Sequence, residues 1–513
     1  KFWMIRTLKY YSILLVFLAA ILVTACDDGN HTNGVDISAN ALIKNVYIID
    51  GSGSERYLAD VRIKEKRIEE IGQLERKNNE IIFQGNGLIL SPGFIDTHSH
   101  ADGDILSHPD ALAAISQGIT TVIVGQDGSS PYPLENFIKN IEELGITINV
   151  GSYVGHNTIR YEILKENFQR AANENEVVLM ANMLKSELSS GAIGLSTGLE
   201  YDPGIYSDRS EVMTLAQVAA DAGGRYISHI RSEDRWFEDA IDEIIEIGRS
   251  TKMPVQISHF KLAQKSLWNQ AARILKKLDQ AVKEGVNITA DLYPYEYWQS
   301  NMMVLLPERD PTDRNAVALA LDQIAPPEGI WLTRFDPEPN YVGKTIVEIA
   351  EERQMDPITT YMQLAQESQL MKKGSDMIIG TSMIEDDIRT LLLWERTNVC
   401  SDGGLVDLHP RGMGSFTKIL GKYVREEGIM SLEIAIRKMT GLAADHMGFN
   451  DRGYIRIGQM ADLVLFDPDT VIDNATPDSP DTISDGIVSV WVAGEQVFSQ
   501  GEATEARPGR FIK

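Results

Sequence analysis

An α/β fold built on a (β/α)8 TIM-like barrel, with a small β-sandwich made by both ends of the chain, is the architecture the sequence predicts. Three observations predict it. The 513 residues suit a barrel of about 250 residues or more plus a smaller module. The middle of the chain alternates short apolar runs with helical stretches, the pattern of a parallel sheet. Both ends are rich instead in short β-type runs separated by turns.

Taken in order, residues 1–25 read as a signal peptide. Lys1, Arg6 and Lys9 precede an apolar run over 12–25 that is too short to span a bilayer. The run closes on Leu22-Val-Thr-Ala-Cys26, small residues before a cysteine as in a bacterial lipobox, so Cys26 is the expected lipidation site and 26–40 a lipidated tether. Residues 41–90 carry strand-like runs at 46–50, 61–64, 81–83 and 88–90, and 450–513 carry others at 461–466 and 487–492. These two segments predict one split β-sandwich around a barrel over 91–449. The barrel strands are expected at 93–96, 120–124, 147–150, 192–195, 226–228, 255–258, 286–289 and 398–401. Between the last two, a stretch rich in Pro, Asp and Glu reads as an insertion around 300–375, of a length that in compact domains often serves a site mouth.

Composition is that of an ordinary globular protein, 43% hydrophobic and 24% charged. The net charge of −26 argues against nucleic acid and against broad binding to anionic lipid. Contact with a membrane is therefore expected through the lipid anchor only, and no protein partner is evident. The expected location is that of an exported bacterial lipoprotein, at the periplasmic face or the cell surface. The two cysteines, Cys26 and Cys400, make no disulfide framework.

The chemistry is concentrated at predicted strand ends, where barrels place their reactive groups. His98 and His100, two residues apart at the end of strand one, would face the same way. Taken alone, the pair could be ordinary loop histidines. Asp127 follows strand two, His229 ends strand five, His259 ends strand six and Asp402 ends strand eight, so four of the nine histidines and two aspartates share one type of position. Imidazole and carboxylate together suit Zn²⁺ or a neighbouring divalent ion, one or two in number. Such a site lowers the pKa of water to about 7 and polarises a carbonyl, which points to hydrolysis of an amide or a related bond. Asp402, on the strand that closes the barrel beside His98 and His100, is the candidate catalytic proton carrier.

The run Pro92-Gly-Phe-Ile-Asp-Thr-His-Ser-His100 resembles the opening motif of the amidohydrolase superfamily. More narrowly, the chain resembles the N-acyl-D-amino-acid deacylases, or D-aminoacylases. The segments that carry the likeness include Gly118-Ile-Thr-Thr-Val-Ile-Val-Gly125, Leu195-Ser-Thr-Gly-Leu-Glu-Tyr-Asp-Pro-Gly204, His229-Ile-Arg-Ser-Glu233, Asp291-Leu-Tyr-Pro-Tyr295 and His409-Pro-Arg-Gly412. The resemblance implies a small N-acyl amino acid as substrate, cleaved to a carboxylate and a D-amino acid. It also implies substrate contacts from Lys261, Tyr201 and Tyr293. His156 and Arg411 are expected in supporting roles, and Cys400 in the core.

Two departures from the family pattern stand out. Gly125-Gln-Asp-Gly128 puts Asp127 where the family has a cysteine ligand, a harder donor than thiolate. Ser300, the candidate contact to the substrate carboxylate, lies one residue further from Tyr293-Pro-Tyr295 than usual. Leu195-Ser-Thr-Gly198 offers no lysine at the end of strand four, which argues against the carboxylated-lysine bridge of other amidohydrolases. The alternatives are a different amidohydrolase activity, on a cyclic amide or a D-dipeptide, and a non-catalytic binding lipoprotein.

Overall fold

The computed structural model describes residues 40–371 and 374–513. The expected signal peptide, Cys26 and the tether through residue 39 lie outside the described residues. Among the described residues, no helix is long and apolar enough to cross a membrane.

All eight expected barrel strands are present: Phe94–Asp96, Ile119–Val124, Asn149–Ser152, Gly194–Gly198, Arg225–His229, Val255–Ile257, Ile288–Leu292 and Thr397–Val399. Strand two, Ile-Thr-Thr-Val-Ile-Val, is buried at every position, as a parallel strand covered on both faces must be. Strand three breaks at Tyr153 and resumes at Val154–Gly155, and its ladder changes partner there, from strand two to strand four. The first and last strands meet where the Asp402 amide donates to the His98 carbonyl and the His100 amide to the Gly403 carbonyl, each at 2.9 Å. The barrel therefore closes at the residues singled out for chemistry.

The sandwich turns on Ala41–Ile48. Its first half pairs in parallel with Ile81–Gln84 and its second half with Ile89–Pro92. The strand bends between them, where the register shifts between Ile43 and Val46 and Asn45 adopts φ 57°. Leu463–Phe466 from the far end of the chain adds antiparallel to Ile89–Pro92, so both termini build one nine-stranded sheet. Ile43, Val46, Val61, Leu90, Leu463 and Trp491 share its apolar core. Asp462 fastens this unit to the barrel, taking bonds from Asn149 at 3.2 Å and Arg452 at 2.9 Å.

One boundary differs from the sequence expectation. Residues 450–513 do not all belong to the sandwich. Gly509 and Phe511 bridge to Ile146 and Val150 of the barrel, and Ile512 packs with Ile95, Ile123 and Ile227. The terminal apolar residues Phe511 and Ile512 are buried against the foot of the barrel instead of the sandwich.

The expected insertion is a three-stranded antiparallel sheet, Tyr297–Ser300, Ile330–Phe335 and Asp376–Thr381, with the last of these in the middle. It is tied to the barrel mouth. Arg309 donates to the Glu200 carbonyl and, at 3.1 Å, to the Asp202 carboxylate, while Arg235 reaches the Leu305 carbonyl at 3.0 Å.

Candidate metal centre

The backbone at the strand ends is bent to aim side chains inward. Asp127, His259 and Asp402 adopt φ of 53°, 33° and 52°. Left-handed conformations are uncommon outside glycine and collect at functional sites. The turn carrying Asp127 needs its glycines. At Gly128, with φ +76°, a Cβ would stand 2.4 Å from Asn157 Oδ1.

The six side chains expected as ligands converge. His98 Nε2 lies 3.4 Å from both Asp127 Oδ1 and Asp402 Oδ1. His100 Nε2 lies 3.1 Å from Asp402 Oδ1 and 3.5 Å from Asp127 Oδ2. His259 Nε2 stands 3.2 Å from Asp127 Oδ1 and 3.1 Å from His229 Nδ1. Asp127 thus spans the two groups of histidines, one oxygen toward His98 and His259, the other toward His100. Donor atoms of His98, Asp127, His259 and Asp402 all fall within 4.8 Å of one another.

The donors fit a divalent cation. Among the described residues, both ring nitrogens of the fully buried His98 lack a hydrogen-bond partner, although buried polar atoms normally find one. Burial opposes the charged forms of Asp127 and Asp402, but histidines and, for Asp402, Arg411 outweigh it and hold both carboxyls well below the usual range. Burial and Lys261 would depress His259, yet Glu233, Asp127 and Asp402 raise it to about 10. A site that draws protons onto imidazole this strongly has negative charge to spare. A metal ion bound there displaces those protons.

A ring of groups around the ligands escaped the sequence reading. Glu200 Oε2 meets His229 Nε2 at 3.0 Å, and Glu233 Oε1 meets His259 Nδ1 at 3.0 Å. Asp291 accepts the His259 backbone amide at 2.5 Å and lies 3.9 Å from His98 Nδ1. These carboxylates orient the imidazoles from behind. Their signal was faint: Glu233 follows His229 by four residues, while Glu200 and Asp291 sit in motifs that served only for likeness. Arg411, expected in support, pairs directly with Asp402. His156 is further out, 2.8 Å from Glu211, which also pairs with Arg160.

The expected substrate contacts divide. Lys261 Nζ is bound by both Glu233 oxygens at 2.8 Å and lies 2.7 Å from His259 Nδ1, so it is anchored in the centre rather than free. Tyr293 lies between two cations, with Lys261 Nζ 5.7 Å and the Arg411 guanidinium 5.0 Å from its ring centre, and its buried hydroxyl has no partner among the described residues. The Tyr201 ring centre is 4.4 Å from that of His229. Ser300 stands apart, opposite Ile378 in the insertion sheet, with no hydrogen bond to these groups among the described residues. The same strand still serves the mouth. The Tyr297 carbonyl accepts His409 Nε2 at 3.0 Å and Gln299 donates to Asp407 at 2.8 Å, fixing the loop that carries Arg411.

The Amidohydrolase family model matches residues 344–498. The N-acyl-D-glutamate deacylase of Alcaligenes xylosoxydans xylosoxydans is 36% identical over 497 residues, 92% of this chain and 96% of that protein. The chain belongs to the N-acyl-D-amino-acid deacylase family of the amidohydrolases. A second member, the D-aminoacylase of the same organism, is 31% identical over 490 residues, 91% of this chain and 96% of that protein. Among solved structures, an N-acyl-D-glutamate deacylase from Bordetella bronchiseptica superposes with a TM-score of 0.82 at 34% identity, covering 92% of this chain and 99% of that one. That deacylase was crystallised with zinc and a phosphonate that mimics the tetrahedral intermediate of its reaction. Within the family, the barrel and the sandwich agree with the sequence expectation.

Proposed function

We propose that the protein is a zinc-dependent deacylase of N-acyl-D-amino acids, releasing a carboxylate and a D-amino acid. The observation that carries the reading is the cluster of Lys261, Tyr293 and Arg411 beside the metal ligands. The unpartnered Tyr293 hydroxyl, between two cations that Glu233 and Asp402 hold in place, is set to donate to a free α-carboxylate one carbon away from the scissile nitrogen. Bound zinc would supply a Lewis acid and a water of lowered pKa. Asp402 is kept ionised by Arg411, so it can take a proton from the attacking water and deliver it to the leaving nitrogen. Glu200 and Glu233 fix the tautomers of His229 and His259. The absence of lysine among Gly194–Gly198 weighs against the cyclic-amide alternative. The test is hydrolysis of paired N-acyl-D and N-acyl-L substrates, with glutamate and leucine side chains, by the zinc-loaded enzyme. Turnover confined to D substrates supports the reading. Turnover of cyclic amides alone overturns it.

We further propose that the protein is an exported lipoprotein, anchored through an acylated Cys26. The reading is supported by the basic start, the apolar run and the small residues before Cys26. Fatty-acid labelling of the wild type and not of Cys26→Ala, with release of the variant from the membrane fraction, is the expected result.

A further inference from the structure

A cavity of about 470 Å³ lies at the opposite end of the barrel from the metal ligands. It is lined at the N-terminal ends of strands five to eight by Arg225, Val255, Thr289 and Arg396, with Arg437 and His446 closing it from the last helices. Strand five shows the separation. Arg225 opens it and His229 ends it, a span of about 13 Å.

The charge of this cavity is unusual for the chain. The protein carries a net charge of −26, and most buried arginines, such as Arg160, Arg411 and Arg452, pair with carboxylates. Arg225, Arg396 and Arg437 pair with none among the described residues. Their side-chain hydrogen bonds go to neutral oxygens: Arg225 to the His446 carbonyl at 2.6 Å, Arg396 to the Asn287 side chain at 3.4 Å, and Arg437 to the Ser52 carbonyl at 3.2 Å. Two carboxylates also line the cavity, but neither neutralises an arginine. Asp445 is held by the Tyr454 hydroxyl at 2.8 Å, and Glu395 is exposed. Lys438 adds a further buried cation close by, bound to the carbonyls of Trp394 and Thr397 at 2.6 and 3.0 Å.

We propose that this cavity is a binding site for a small dianion, recognised through Arg225, Arg396 and Arg437. The forked guanidinium matches two chemistries, a phosphate group and a pair of carboxylates. The volume admits a molecule of amino-acid or sugar-phosphate size. His446 contributes a neutral imidazole. Its Nδ1 lies 2.7 Å from Asn398 Oδ1, an acceptor, so Nδ1 carries the proton and Nε2 is left to accept a hydroxyl or ammonium of the ligand.

The test is calorimetric titration of the zinc-loaded chain with inorganic phosphate and, separately, with glutarate. At least one should bind saturably, and which one does tells phosphate from dicarboxylate recognition. Binding should weaken about tenfold or more in Arg396→Gln/Arg437→Gln, return in Arg396→Lys/Arg437→Lys, and tighten in Glu395→Gln, while deacylation without added anion stays at the wild-type rate. If neither probe saturates, the proposal fails. It also fails if the glutamine variant binds as the wild type does, since the anion would then sit at the metal centre.

Discussion

At the mouth of the barrel, burial should lower the pKa of His259, yet Glu233, Asp127 and Asp402 raise it to about 10. At the foot, burial acts on His446 in the same direction, and there Arg396, Arg225, Lys438 and Arg437 push it further, to about 3. His259 is buried and His446 half-buried, yet burial acts on both in the same direction. What differs is the sign of the neighbours. The mouth gathers more carboxylate than it can neutralise and so makes a seat for a cation. The foot gathers three guanidinium groups that no carboxylate pairs with among the described residues, Asp445 and Glu395 standing at its edge. A column of hydrogen bonds joins the two ends: His446 to Asn398 at 2.7 Å, Asn398 to Thr97 at 2.5 Å, Thr97 to Asp291 at 3.3 Å, and the His259 amide to Asp291 at 2.5 Å.

The largest effect expected at the mouth is that of Asp402→Asn. It removes the proton carrier and leaves Arg411 without its carboxylate partner. Turnover should fall about 10²–10⁴-fold, with zinc still held by His229, His259 and Asp127. Metal analysis beside the rate measurement checks this. Loss of all zinc with the activity would show that Asp402 matters chiefly as a ligand.

Glu233→Gln comes next. It withdraws one of the charges that raise His259 and frees Lys261. Zinc affinity should drop about 10–100-fold, the usual cost of losing an outer partner of a ligand. Competition with a chelating dye measures it. An unchanged affinity would mean that Glu233 serves only to hold Lys261. Asp127→Cys is expected to act on selectivity more than on affinity. Thiolate is the softer donor, so the variant should retain zinc better relative to manganese than the wild type does. Equal retention of the two metals by both proteins would leave the carboxylate without a selective role.

The difference between the two ends also explains what the sequence could show. The ligands at the mouth were legible because chemistry-bearing residues fall at strand ends, and the strands themselves announce their ends. His98 and His100 need only a two-residue spacing, and Asp402 needs only the rule that strand eight closes on strand one. The barrel and both halves of the sandwich were legible for the same reason, as periodic apolar runs. The foot was not. Arg225, Arg396 and Arg437 come from a strand start, a turn and a helix, and in a chain with 48 basic residues nothing local marks them as unpaired. Glu200 and Asp291 were hidden in the same way. A carboxylate that supports an imidazole from behind has no fixed spacing from it, because the fold and not the chain brings them together. The burial of Phe511 and Ile512 beneath the barrel likewise depends on a surface that exists only once the strands have closed.

The smallest expected effect tests the foot directly, through pH. In the unfolded chain His446 takes up a proton below about 6.5, while in the folded protein it refuses one until about pH 3. Between those values the unfolded state binds more protons, so stability rises with pH across the window. The contribution is fully present above pH 6.5 and is lost as pH falls toward 3. Its slope is at most about 1.4 kcal/mol per pH unit. Chemical denaturation of the wild type and His446→Gln at several pH values between 4 and 7 isolates it, since carboxylates elsewhere contribute equally to both. The wild type should lose stability more steeply on acidification. Parallel slopes would show that the arginines do not hold His446 neutral. If bound phosphate or glutarate flattens the wild-type slope, the anion has replaced the positive field at the foot with a negative one, and the contrast between the two ends disappears when the cavity is filled.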